Sequence, residues 1–205
     1  MSILHIALGI TEPSTLWMRR QLDMINDEVS YIFTDIPGVK AYRKKYKCAV
    51  IWRSHNKLLN RVLHLYNVAR LYALIHRKKV HTIYIHYATT AVLYKRVIHS
   101  TRKKVFVHCH GYDVTWDYKL SGLPVHSKDY VEHIRNMPDN VIFIANSKRT
   151  LKRLLDIGIP QERTVLKYLG VEVPKQFPEK IHNEKEGIYI ITLPARLKKE
   201  TEYKC

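Results

Sequence analysis

The sequence predicts a doubly wound α/β fold around a mostly parallel sheet. Three observations carry that reading. Short apolar runs bounded by turn or charged residues recur along the chain, as strands do. Helical patterns lie between them, and this alternation favours parallel pairing through crossover connections. Several of the runs are apolar on both faces, as strands covered by helices on each side must be.

The strand signals are Ile3–Leu8, Val29–Thr34, Cys48–Trp52, Thr82–Tyr87, Val105–His110, Val141–Asn146 and Thr164–Leu169. Among the helices, Ser14–Ile25 opens on Pro13 and Ser14, a capping pair, and carries Leu16, Trp17, Leu22 and Ile25. Asn56–Arg77 is the longest, with Leu58, Leu59, Val62, Leu65, Tyr66, Ala69, Tyr72 and Ala73 at helical spacing. Thr89–His99 and Ser147–Ile157 follow the next strands, and the latter stops at Gly158, a C-terminal signal. No internal repeat is visible. Val171–Glu186, with Pro174 and Pro178 among charged residues, reads as a linker. Gly187–Leu193 then starts a fresh strand, followed by Pro194, Ala195, Arg196 and Leu197. The expected organisation is a first domain over 1–170, a linker over 171–186, and over 187–205 the opening of a second domain cut short. The alternative is that this last strand pairs back onto the first sheet as an edge.

A length of 205 residues suits one well-buried domain with little left over. Apolar and charged shares of 46% and 26% are those of a folded chain and exclude disorder. No stretch approaches the roughly 18 uninterrupted apolar residues of a membrane-spanning helix. The apolar N-terminus lacks a preceding basic region and a small-residue cleavage site, so it reads as a first strand. Cys48, Cys109 and Cys205 fit no metal-ligand spacing, and an odd number argues against a disulfide framework; a cytoplasmic setting is expected.

Charge is the most unusual bulk property. Thirty-five Lys and Arg against 18 acids leave a net charge of +17, which implies attraction to something anionic. The basic residues form scattered clusters, at Arg43-Lys44-Lys45, Arg77-Lys78-Lys79, Arg102-Lys103-Lys104 and around Lys148-Arg149. Solvated helix ends and loops account for many of these. A membrane surface with anionic lipid comes next, and nucleic acid last.

In open parallel sheets, ligands sit beyond the carboxyl ends of the strands, so residues at strand ends carry the chemistry. Three places stand out. A buried strand ends in His110, Gly111 permits a sharp turn, and Asp113 follows. An imidazole there donates to a hydroxyl or titrates, and an aspartate accepts from hydroxyls or from the turn itself; the plainer role for a lone strand-end histidine is a satisfied core residue. Asn146 and Ser147 end the next strand, where Ser147 is placed to cap a helix whose N-terminus attracts anions or hydroxyls. His86 ends an earlier strand beside Tyr87 and Thr89, and either faces the same cleft or packs beneath a helix.

In this order, these motifs resemble glycosyltransferase family 4, a family of retaining enzymes with the GT-B fold of two Rossmann-like halves. The resemblance runs through His86, the His110-Gly111-Tyr112-Asp113 turn and Asn146-Ser147. It continues through Leu154 to Pro160, through Tyr168-Leu169-Gly170-Val171-Glu172, and ends at Ala195-Arg196-Leu197. Pro13-Ser14-Thr15, with Arg19, Arg20 and Gln21 beyond, resembles a subgroup that builds extracellular or capsular polysaccharide. Each motif is weak alone; six in the right order and strand context are specific.

The resemblance implies the N-terminal, acceptor-side half of an enzyme that moves a hexose from a nucleotide sugar to a glycan or a polyprenyl-phosphate-linked acceptor. It implies His110 at the sugar, Asp113 positioning the turn, and Ser14, Thr15 and His86 facing the acceptor. Gly111, Asn146 and Ser147 would line the substrate cleft, and Arg196 would hold the donor diphosphate. It also implies a metal-independent reaction without a cofactor, on the inner face of the plasma membrane, where basic surface meets anionic lipid. Two departures stand against the pattern: Ala195 replaces the glycine before Arg196, and Lys199-Glu200 replaces a Lys-Gly pair. The competing readings are a non-catalytic acceptor- or membrane-binding module, alone or beside a separate donor-domain subunit, and a nucleic-acid-binding protein. On the resemblance, residues 1–205 by themselves are expected to show negligible transferase turnover. Multiple turnovers from the purified chain in a radiolabelled-sugar assay would contradict this.

Overall fold

The computed structural model describes residues 2–11, 15–24, 29–77, 80–115 and 129–170. Seven strands form one sheet: β1 (Ile3–Ile6), β2 (Val29–Thr34), β3 (Lys47–Val50), β4 (Thr82–His86), β5 (Lys104–Cys109), β6 (Val141–Ala145) and β7 (Thr164–Leu166). Their spatial order is β3-β2-β1-β4-β5-β6-β7, and all six pairings are parallel. The connections step outward from β1 to β3, cross back to β4, and then step the other way to β7. The direction therefore reverses between β1 and β4, the place where open α/β sheets open a crevice at their carboxyl rim.

The strand period of two sorts side chains onto two faces. Leu4, Ile6, Ile83, Ile85, Val105, Val107, Val141 and Phe143 alternate onto one, in the larger of two buried clusters. Helices α3 (Lys57–Arg77), α4 (Ala88–Leu93), α5 (Lys95–His99), α7 (Tyr130–Arg135) and α8 (Lys148–Asp156) contribute Leu71, Ala91, Val97, Ile134 and Leu154 to that cluster. Each of its fully buried aliphatic side chains contributes about 1.5–3 kcal/mol. The opposite face carries Ile32 beneath α1 (Leu16–Met24) and α2 (Ile36–Tyr42), packed with Ala7, Ile10, Met18, Leu22, Tyr42 and Tyr46. A short helix α6 (Tyr112–Thr115) follows β5.

The seven strands predicted within residues 1–170 all form, and Tyr87, His110 and Asn146 stand in the first turn beyond their strands. Three helices differ from expectation. The predicted helix Thr89–His99 breaks at Tyr94 into α4 and α5, because the Tyr94 side chain is drawn into the core and its backbone (φ −104, ψ 19) leaves the helical region. Helix α2 was not legible, since seven residues containing Pro37 and Gly38 read as a turn. Asp35 makes it a helix by accepting from Gly38 N at 3.1 Å, and it also accepts from Gly9 N at 3.1 Å, tying α2 to the end of β1. A β-carbon on Gly38 would collide with Thr34 and Ile10. Helix α7, only six residues, was likewise missed.

In α3 the apolar stripe that marks the helix in the sequence is on its outer surface. Leu58, Leu59, Val62, Leu65, Tyr66 and Tyr72 are exposed, while Leu71 and Ile75 enter the core. Asn67 is buried among them and is satisfied by the backbone of Trp52, accepting from its N–H at 3.0 Å and donating to its carbonyl at 2.7 Å. The helix thus docks through a small mixed face and leaves a larger apolar one free. Among the described residues no helix is long and apolar enough to cross a membrane. The described residues belong to one compact unit, Met1–Val171. The predicted linker at 171–186 and the segment 187–205 lie outside the described residues.

Candidate functional site

The site is built from a run of rings on one sheet face at the carboxyl rim. His5 pairs in register with Tyr84, and His86 with His108. With a period of two, His5, Tyr84, His86, His108 and His110 point to the face that α1 covers. Trp17, from α1, lies over them, with ring centroids 3.9 Å from His110 and 5.2 Å from His86. His108 and His110 are 4.3 Å apart by centroid, and Tyr87 closes the far side 4.7 Å from His110. Two polar contacts order the cluster. His86 Nδ1 meets His110 Nε2 at 3.3 Å, and His108 Nδ1 meets the Tyr84 hydroxyl at 2.9 Å. Gln21 donates to that same hydroxyl at 2.8 Å.

Burial decides the charge of this cluster. Removal from water disfavours imidazolium and brings His5 down to about 3 and His108 to about 4, with neighbouring charge adding to the effect. His110 falls to about 2, by burial and then by His108. His86 is held well below its ordinary value by burial and by His5, His110 and His108. All four rings are therefore neutral at physiological pH. Burial pushes the Tyr84 phenol up to about 12. His86 and His108 are buried, and His110 is half-buried at the edge.

The turn that carries His110 is held by Asp113. Its fully buried carboxylate accepts from His110 N at 2.8 Å and from Ala88 N at 2.7 Å. Ala88 opens α4, and Tyr87, the residue at the N-cap, makes no side-chain cap bond. Asp113 thus caps α4 from a neighbouring strand exit, satisfying a donor that a helix start leaves unpaired. Gly111 turns with φ +102 in open space, so glycine is required there for its backbone and not for close approach. Tyr87 also has positive φ, at 70°, a strained setting for a bulky residue. Burial raises Asp113 to about 6, against the backbone N–H groups of Ala88 and His110 that hold it down. The Tyr130 hydroxyl donates to the Asp113 carbonyl at 2.7 Å and closes the turn from below.

A neutral imidazole is thus held on a clamped turn, at the carboxyl rim beside a strand-order reversal. The family model for Glycosyltransferase Family 4 matches residues 15–174. The chain belongs to glycosyltransferase family 4. Solved structures agree on the fold, as one half of a GT-B arrangement. Anabaena HepE in complex with UDP and glucose aligns at TM-score 0.60 and 16% identity, covering 84% of this chain and 45% of HepE. A glycosyltransferase from Rickettsia africae aligns at TM-score 0.59 and 16% identity, over 83% of this chain and 43% of its own. A putative UDP-N-acetylglucosamine 2-epimerase from Listeria monocytogenes aligns at TM-score 0.56 and 14% identity, over 80% and 43%. The family 4 chain thus spans less than half the length of each. No curated protein matches it in sequence.

Of the residues that the sequence singled out in this family 4 domain, His86, His110, Gly111 and Asp113 come together on the exits of β4 and β5. Asn146 and Ser147 stand on the neighbouring exit of β6, one strand away, since Cys109 pairs with Ala145. Ser147 Oγ caps α8, accepting from Thr150 N at 3.1 Å, and the Thr150 hydroxyl donates to Asn146 Oδ1 at 2.9 Å. Thr15 is buried and its hydroxyl donates to Gly9 O at 2.8 Å. Ser14 and Arg196 lie outside the described residues. Sequence reasoning did not assign His5, Trp17, Tyr84, Tyr87 or His108 to the site. Strand parity held the signal: the odd-even alternation that aligns His86 with Tyr84 also aligns His110 with His108.

Replacing Asp113 by Ala strands two buried N–H donors, each costing about 1–3 kcal/mol. Urea unfolding of Asp113→Ala should show a loss of about 2–6 kcal/mol, with Asp113→Asn intermediate because its amide oxygen still accepts. Equal stability of Asp113→Ala and wild type would refute the clamp.

Proposed function

We propose that this chain is the acceptor-side domain of a glycosyltransferase that moves a hexose from a nucleotide sugar, with retention of configuration. The acceptor is a glycan or polyprenyl-phosphate-linked saccharide in surface polysaccharide synthesis. The observation that carries this reading is His110, neutral and half-buried, fixed at the rim by the Asp113 clamp on its own backbone. HepE structures with UDP and with UDP-glucose support a uridine nucleotide sugar as the donor class.

In this reading the anomeric carbon–oxygen bond to the diphosphate breaks as the acceptor oxygen bonds, and the acceptor proton passes to the departing phosphate oxygen. Positive charge grows on the sugar ring and negative charge on the diphosphate. A histidine held neutral by burial adds no cation against the developing oxocarbenium, yet still offers a hydrogen bond to a sugar hydroxyl. The diphosphate charge falls to Arg196 and to helix N-termini, so the transfer needs no metal. Ser147 acts through α8, whose first turn it caps, and Asp113 through the turn.

The α3 surface supports a peripheral place on anionic membrane. Leu58, Val62, Leu65 and Tyr72 make a continuous exposed apolar stripe, with the exposed Lys57 and Arg61 alongside, in a chain of net charge +17. An apolar stripe with cationic flanks lies in the headgroup boundary and gains from anionic lipid.

Two outcomes are expected. With the donor-binding half supplied in cis or in trans, His110→Ala should lower kcat/KM by about 100- to 1,000-fold, and Ser147→Ala by less than about tenfold. Because burial keeps His110 deprotonated throughout, wild-type kcat/KM should carry no inflection from it across roughly pH 5–8. Radiolabel transfer unchanged in His110→Ala would overturn the assignment. Separately, the chain should sediment with vesicles containing anionic lipid and far less with zwitterionic ones. The double substitution Leu58→Glu with Leu65→Glu should cut the bound fraction severalfold; undiminished binding would remove α3 from the membrane surface.

A further inference from the structure

The imidazoles of His86, His108 and His110 are a group the transfer chemistry does not fully use. One ring nitrogen from each lies within 4.8 Å of the other two. His86 Nδ1 and His110 Nε2 are 3.3 Å apart. That separation is the edge of a tetrahedron whose corners lie about 2.0–2.1 Å from a central zinc ion, the usual zinc–imidazole distance.

Three further features point the same way. His108 Nδ1 is engaged by the Tyr84 hydroxyl, itself held by Gln21, which leaves Nε2 as the free nitrogen. A ligand ring oriented through its other nitrogen is the standard support of a metal-binding histidine. His108 Nε2 is buried without a hydrogen-bond partner, so the cluster has donor capacity that its own contacts do not consume. Trp17 and Tyr87 wall the group. Lys167 is the cation that bears on His108 electrostatically, and it opposes a bound ion.

We propose that His86, His108 and His110 form a three-histidine site for a borderline divalent transition metal of the zinc, cobalt or nickel type. All-nitrogen imidazole donors suit those ions and not magnesium or calcium, which take oxygen. Three protein ligands leave a tetrahedral ion one further position. Because His110 belongs both to this site and to the proposed sugar contact, a bound ion competes with a sugar hydroxyl for that ring.

The test uses the 205-residue chain stripped with a chelator and then titrated with Co2+ and Zn2+. One Co2+ per chain, with the intense visible absorption of tetrahedral nitrogen coordination and displacement by Zn2+, is the expected result. His108→Asn and His86→Asn should each weaken binding by about 10- to 100-fold, whereas the exposed His55→Ala and His76→Ala should leave it unchanged. Imidazole nitrogen NMR of the wild type on adding Zn2+ needs no variant, and it should move three buried rings together. No bound Co2+ at stoichiometric concentration, octahedral cobalt absorption, or shifts confined to exposed histidines would each overturn the site.

Discussion

One carboxylate joins the two strand exits that carry the ring cluster, and the rest of the rim depends on it. Asp113 leaves the turn after β5, yet one of its oxygens receives the first N–H of α4, the helix after β4. Its other oxygen receives the N–H of His110. Both donors are backbone groups, so the contact fixes main chain and not merely side-chain rotamers. It also explains how Tyr87 keeps a positive φ between β4 and α4. Backbone strain of about 1–3 kcal/mol persists only where surrounding contacts over-determine it. Here the Asp113 clamp on the next residue and the Tyr87 N–H to the His108 carbonyl at 2.9 Å do so.

That clamp places His110 at the margin of a stack of rings that would otherwise be a poor core. Imidazoles in a sheet interior sacrifice hydration, and several of their nitrogens here find no partner. The stack is therefore expensive relative to the aliphatic face on the other side of the same strands, where Ile83, Ile85, Val105 and Val107 are fully buried. Polar groups kept at such cost are usually kept for chemistry. Neutrality is the property that burial confers, and it suits a hydrogen-bonding partner for a sugar as well as a nitrogen donor to a metal.

Helix α3 shows the same tension between packing and use. It docks on the sheet through Leu71, Ile75 and a buried Asn67 that the Trp52 backbone satisfies on both sides. Its richer apolar stripe faces out. Core packing alone would have turned the helix the other way. Register is set instead by Asn67, whose two backbone bonds would be lost by rotation. Arg70, donating to the Val50 carbonyl at 2.8 Å, reinforces the same setting.

Local pattern alone determined much of this protein. Apolar runs of the right length fixed seven strands, alternation with helices fixed their parallel sense, and the strand-end residues His86, His110, Asn146 and Ser147 were visible as candidates. The Ser147 cap and the stop at Gly158 were legible because capping is decided within a few residues. Helix α2 was not, because Pro37 and Gly38 obscure the Asp35 cap, and α7 was not, because it is held from elsewhere, by Tyr130 reaching the Asp113 carbonyl. Only tertiary structure joined His5, Tyr84, His86, His108 and His110, and turned the α3 stripe outward. Parallel neighbours are brought into register across crossover connections of a dozen residues or more, and helix rotation is set by a few buried contacts. Neither leaves a mark in local spacing.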